Sequence, residues 1–153
     1  MSGTATDPDG EARETAVRLL ARREHSKMEL RRKLATRGVD AECIDRVLDR
    51  LSQQGLQSER RFAEGFARQR AERGHGPVRI AAELRERGVD PALVAEALDS
   101  LEVDFAERAR AVYRRKYGEE PGTPLEYRER ARRFQAMRRR GFDVEHIRDL
   151  IGD

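Results

Sequence analysis

The 153-residue chain predicts an all-α fold: three tandem three-helix, helix-turn-helix-like repeats forming an elongated, curved module. Three observations carry that expectation. Four residues occur twice, as Arg37-Gly38-Val39-Asp40 and Arg87-Gly88-Val89-Asp90, and return in altered form as Arg140-Gly141-Phe142-Asp143. Apolar positions keep step with the three glycines, which lie 50 and 53 residues apart. Leu34, Leu84 and Met137 precede them by four residues, and Ile44, Val47, Leu48, then Val94, Ala97, Leu98, then Ile147, Leu150, Ile151 follow by six, nine and ten. Those offsets share one helix face and so describe a helix, a glycine turn and a second helix. Finally, 40% of the residues are charged and only 5% aromatic, which is too little apolar matter for one large core. Small modules that bury thin seams against their neighbours resolve that shortage.

Taken in order, residues 1–10 form a mildly acidic tail, expected to be disordered, without the basic and apolar regions of a signal peptide. Repeat 1 (11–55) opens with a helix from about Glu11 to Glu24 carrying Ala16, Val17, Leu19 and Leu20. Ser26 and Glu29 make a capping box for a second helix through Met28, Leu30 and Leu34. Gly38 closes that helix in the left-handed conformation, and Asp40 caps a third one, which stops at Gly55. In repeat 2 (56–102), Ser58 caps a helix bearing Phe62, Phe66 and Ala67, and Gly74-His75-Gly76-Pro77 then breaks the chain. Pro77 opens the next helix, through Val78, Ile80, Ala81 and Leu84, and Asp90-Pro91 starts the third after the Gly88 corner. Repeat 3 (103–153) begins at the cap Asp104, with Phe105, Ala109, Val112 and Tyr113 on its first helix. Residues 118–124 form the longest loop and the expected point of flexibility. Leu125, Tyr127, Ala131, Phe134 and Met137 mark the next helix, and Asp143 caps a short last one after Gly141. Gly38, Asp40, Gly88, Asp90, Gly141 and Asp143 are therefore structural corners first.

Net charge is only +3, yet charge is sorted by helix type. The second helices of the repeats carry +4, +1 and +5, and the third helices −2, −3 and −2. Stacking such repeats should produce one basic and one acidic surface. Of the 32 basic residues 29 are arginine, whose planar fork suits phosphate and carboxylate. Ordinary helix-dipole preferences explain part of the sorting. They explain less well the density of Arg128, Arg130, Arg132, Arg133, Arg138, Arg139 and Arg140 on one helix, or Arg108, Arg110, Arg114, Arg115 and Lys116 on another. A DNA-reading helix-turn-helix would place the helix after each turn in the major groove. Here that helix is the acidic one, and residues 90–101 hold no cation at all.

No catalytic chemistry emerges. His25, His75 and His146 fall in different repeats and with Cys43 give no metal-ligand spacing. His75 is expected to be a solvated turn residue, and Cys43 a half-buried small side chain. A lone cysteine excludes an internal disulfide and, with no apolar run of membrane-spanning length, points to the cytoplasm. There is no glycine loop followed by lysine to cradle a nucleotide, so neither cofactor nor enzyme activity is expected.

The chain resembles the RecX family of bacterial regulators. The resemblance rests on Leu19-Leu20 with Arg22-Arg23, on Ser26-Lys27-Met28-Glu29-Leu30 with Leu34 and Gly38, and on Phe62-Ala63 with Phe66 and Arg70. Gly74-His75-Gly76-Pro77-Val78-Arg79-Ile80 with Glu83-Leu84 and Gly88, and Arg138-Arg139-Arg140-Gly141-Phe142, complete it. It spans about residues 13–151, is most specific in the second repeat, and implies the same three three-helix repeats. It also implies a partner, RecA recombinase, chiefly as its filament on single-stranded DNA, whose ATPase and strand exchange such proteins usually inhibit. The alternative is a nonspecific nucleic-acid-binding protein acting without RecA. Charge then selects the candidate contacts to RecA or DNA: Arg31, Arg32, Lys33, Arg68, Arg70, Arg79, Arg114, Arg115, Lys116, Arg132, Arg133, Arg138 and Arg139. The protein is expected to act as a monomer.

Overall fold

The computed structural model describes residues 7–119 and 123–152, which form nine α-helices and no strand. Repeat 1 contains α1 (Pro8–Arg22), α2 (Lys27–Thr36) and α3 (Ala41–Gln53); repeat 2 contains α4 (Glu59–Glu72), α5 (Pro77–Glu86) and α6 (Pro91–Ser100). Repeat 3 contains α7 (Phe105–Tyr117), α8 (Tyr127–Arg140) and α9 (Val144–Ile151). Each repeat buries its own core. Leu30, Leu34, Ile44, Leu48 and Leu51 centre the first; Phe62, Ala67, Ile80, Leu84 and Val94 the second; Tyr113, Met137, Phe142 and Ile147 the third. Phe105 packs against both the second and third cores and joins them. The accessible surface, 10162 Å², exceeds the roughly 7,900 Å² expected of a compact chain of this mass, as three thin cores in a row require.

The corners form as the spacing predicts. Gly38, Gly88 and Gly141 have φ of 84°, 82° and 95°, where only glycine is unstrained. The amides of Val39, Val89 and Phe142 then bond back to Leu34, Leu84 and Met137, closing each helix end. Asp40 accepts from the Cys43 amide and Asp90 from the Ala92 amide, both at 2.8 Å, and the Ser26–Glu29 capping box is complete. Asp143 departs from this expectation. It holds the N-cap position but accepts no backbone bond, and its carboxylate instead lies 3.9 Å from His146 Nδ1. The tail also needs correction, because α1 begins at Pro8, with proline in the first turn where its missing N–H costs nothing. Residues 1–6 and 120–122, where most of the tail and the centre of the long loop were expected, lie outside the described residues.

The repeats meet through the N-termini of their second helices. At the first junction the α2 amide of Lys27 donates to Glu59 at 2.7 Å, and buried Gln57 donates to Glu59 and to the His25 carbonyl. A carboxylate thus satisfies an orphan amide at the positive end of a helix. At the second junction the α5 N-terminus is held by backbone groups. The amides of Gly76 and Val78, at the start of α5, donate to the carbonyls of Arg140 and Gly141, at the end of α8, at 2.8 and 2.9 Å. Orphan donors of one helix meet orphan acceptors of another. Backbones come this close because neither corner has a side chain: a Cβ on Gly76 would lie 2.3 Å from the Gly141 oxygen, and one on Gly141 2.2 Å from Arg79 Cβ.

Both junctions also hold a histidine one residue before the N-cap. His25 is fully buried, with Nδ1 3.0 Å from the Arg23 carbonyl and Nε2 2.9 Å from Lys33 Nζ. A carbonyl only accepts and an ammonium only donates, so the ring is neutral with its proton on Nδ1. Burial pushes the His25 pKa down, and the charges of Arg23 and Lys33 push the same way against Glu29. His75 is half-buried at the second junction, its pKa also lowered by burial and then by Arg79, so it is not the solvated turn residue expected. Because the folded state binds fewer protons, this stability is present above the ordinary value of 6.5 and is lost as pH falls below it. The melting temperature should therefore be lower at pH 5.5 than at pH 7.5, and His25→Gln should shrink that difference. Cys43 is fully buried rather than half-buried. Its thiol donates to Asp9, which with burial pushes its pKa up to about 11. Asp9 also binds Arg46 through two bonds, which hold its own pKa down at about 2 and tie α1 to α3.

Candidate nucleic-acid interface

A cleft of about 610 Å³ opens where repeat 3 meets repeat 2. α7 supplies Arg108, Ala111, Val112 and Arg115, whose spacing of three, four and seven places them on one helix face, with Lys116 beside them. Ala109 and Tyr113 lie on the opposite face and are buried in the third core, which fixes the helix's rotation. The α4 terminus adds Glu72, Arg73 and Gly74, and the α8 terminus adds Arg140. Five cations therefore face one carboxylate. Arg108 is committed, donating to the Ala71 carbonyl at 3.1 Å. Arg73, Arg115 and Arg140 make no ion pair among the described residues, and Lys116 only faces the Tyr117 ring at 5.4 Å. Unpaired guanidinium groups around a concavity are what a phosphate chain requires.

Of the thirteen candidate contacts, only Arg115 and Lys116 line this cleft. Arg108 and Arg140, which belong to the two dense cation runs, join them, and so does Arg73, which the sequence did not single out. Charge had been sorted by second and third helices, so an arginine ending a first helix escaped, although Arg73-Gly74 repeats the Arg-Gly closure of the corners. Arg32, Arg68, Arg114, Arg138 and Arg139 are exposed, and no described carboxylate pairs with them. Arg132 is exposed and pairs with Glu129 at 3.2 Å. The remaining five are engaged within the fold. Arg31 pairs with Asp45 and Lys33 holds His25. Arg70 pairs with Glu83 at 3.2 Å and, like Arg87, lies over the Phe66 ring, while Arg79 pairs with Glu83 at 3.0 Å. Arg133 is nearly buried, bonding Tyr113 and Glu129, and both contacts raise its pKa. The Arg31–Asp45 pair qualifies the expected division into a basic and an acidic surface, because it joins a basic second helix to an acidic third helix and neutralises part of each. Arg60 on α4 likewise neutralises Glu96 on acidic α6.

Among the described residues no group of three or more His, Cys, Asp and Glu could hold a metal, and no helix is long and apolar enough to cross a membrane. Fold and cleft together define a tandem three-helix-repeat protein with a cation-lined junction. Family models described as the first, second and third three-helix domains of RecX match residues 12–51, 58–98 and 102–151. The chain belongs to the RecX family of regulatory proteins, which is not an enzyme family. It is 50% identical over 136 residues to the regulatory protein RecX of Halorhodospira halophila, covering 89% of this chain and 83% of that one. It is 45% identical over 140 residues to RecX of Pseudomonas entomophila, covering 91% and 88%. The crystal structure of RecX from Lactobacillus salivarius shares the fold, with a TM-score of 0.78 at 20% identity over 95% of each chain.

Proposed function

We propose that this protein is a negative regulator of RecA recombinase, acting in the cytoplasm as a monomer without a cofactor. It binds RecA and its filament on single-stranded DNA and lowers ATPase and strand exchange. The cleft of Arg73, Arg115, Lys116 and Arg140 carries this reading, since four cations without a carboxylate partner at a repeat junction suit the sugar-phosphate backbone inside such a filament. In this reading ATP hydrolysis belongs to RecA. α6 carries no cation, and its acidic residues suit basic elements of the recombinase.

The rival reading is a nonspecific binder of bare nucleic acid, and salt separates the two. Phosphate binding weakens steeply with salt, whereas protein contacts between desolvated groups persist. The protein should co-sediment with RecA filaments at a salt concentration that has already released it from bare single strands. Release from both at the same salt would favour the rival.

A further inference from the structure

We infer that the cleft between α8 and α9 is a slot for one unpaired nucleobase of a single strand, with Tyr127 as its stacking platform. This rests on the DNA-binding reading above and extends it, because phosphate contacts position a strand but carry no information about its bases. The slot, about 520 Å³, is lined by Tyr127, Ala131, Phe134, Gln135, Arg148 and Ile151 among others, with no acidic residue. Its size lies within the range of small-molecule sites, and its apolar walls with a few polar groups are what a planar heterocycle needs.

Tyr127 is the most exposed large apolar side chain among the described residues, 80% accessible, at the first position of α8. Tyr113 and Tyr117 face each other with ring centroids 5.0 Å apart, whereas Tyr127 has no ring partner among the described residues. A solvent-facing aromatic surrounded by arginines is the usual stacking platform for single strands, and it tolerates any base because every base has a π-face. Gln135 offers an exposed amide, both donor and acceptor, to a base edge. Arg148 lies at the lip, exposed and without an ion pair among the described residues, where a flanking phosphate would fall.

The slot is also linked to the phosphate cleft. Arg128, Arg132, Gln135 and Arg139 are all exposed and spaced four, seven and eleven residues along α8, so they form one polar stripe beside the apolar slot. That stripe runs about 20 Å to Arg140, which lines the cleft. One strand can follow α8 from the cleft to the slot. An apolar peptide would have no use for that arginine stripe, so charge favours the polyanion.

Anisotropy titrations with a labelled oligothymidine and an abasic strand of equal length separate base from phosphate. Wild type should bind the oligothymidine about tenfold more tightly. Tyr127→Ala should lower it to the abasic value without changing abasic binding, and Tyr127→Phe should keep the preference. Equal wild-type affinity for the two strands, or unchanged oligothymidine binding by Tyr127→Ala, would overturn the slot. Neutralising Arg73, Arg115 and Lys116 should weaken both strands alike. No effect of that variant would count against the phosphate cleft while leaving the base comparison readable, and no binding of wild type to either strand would sink both.

Discussion

Gly76→Ala is expected to undock repeat 3 from repeat 2 and lower its melting transition by roughly 6–20 °C, from a loss of about 3–5 kcal/mol. Backbone strain is not the cause, since Gly76 has φ −85° and ψ 169°, which alanine adopts freely. Contact is the cause. The added Cβ would meet the Gly141 oxygen and carbon and the Phe142 nitrogen at 2.3, 2.4 and 2.5 Å, all backbone atoms that cannot rotate away. Overpacking costs about 1–3 kcal/mol, and each of the two junction hydrogen bonds lost adds about 1. Gly38→Ala is the contrast. Its φ of 84° disfavours alanine by about 1–2 kcal/mol, but nothing lies within 4 Å of the new methyl. Thermal melts followed by circular dichroism rank the two, and Gly76→Ala melting no lower than Gly38→Ala would contradict the backbone junction.

Neutralising the cleft with Arg73→Gln, Arg115→Gln and Lys116→Gln should weaken single-strand binding about tenfold while leaving helicity unchanged. None of the three is paired with a carboxylate or buried, so their removal strands no partner. The slope of log affinity against log salt should fall in magnitude by about 2, since each single-strand phosphate contact contributes about 0.7. Arg133→Gln is the internal control. It leaves the Tyr113 hydroxyl and Glu129 without their guanidinium, so it should lower the melting temperature and barely alter the salt slope. The reverse pattern would assign DNA contact to Arg133 and deny it to the cleft.

Local chemistry was legible in the sequence and long-range pairing was not. The Arg-Gly-Val-Asp corners, the Ser26–Glu29 box and the Pro77 and Pro91 helix starts depend on residues within one turn, so the chain states them directly. Gly76 was legible only as a chain breaker. That its missing side chain admits the α8 terminus depends on a residue 65 positions away, Gly141. Charge behaved similarly. The density of cations along the helices was visible, but which are free depends on carboxylates brought by other helices, as with Arg31 on α2 and Asp45 on α3 or Arg60 on α4 and Glu96 on α6. Arg133 looked like any other arginine in a basic run until its neighbour proved to be a core tyrosine. The Tyr127 slot needs α9 beside α8, and only the Gly141 corner brings them together.

RecA ATPase on single-stranded DNA, titrated with this protein, tests the central claim most directly. The rate should fall with wild type in a dose-dependent way, and the cleft-neutralised variant should require much more protein for the same effect. Full RecA activity at excess wild-type protein would contradict the account.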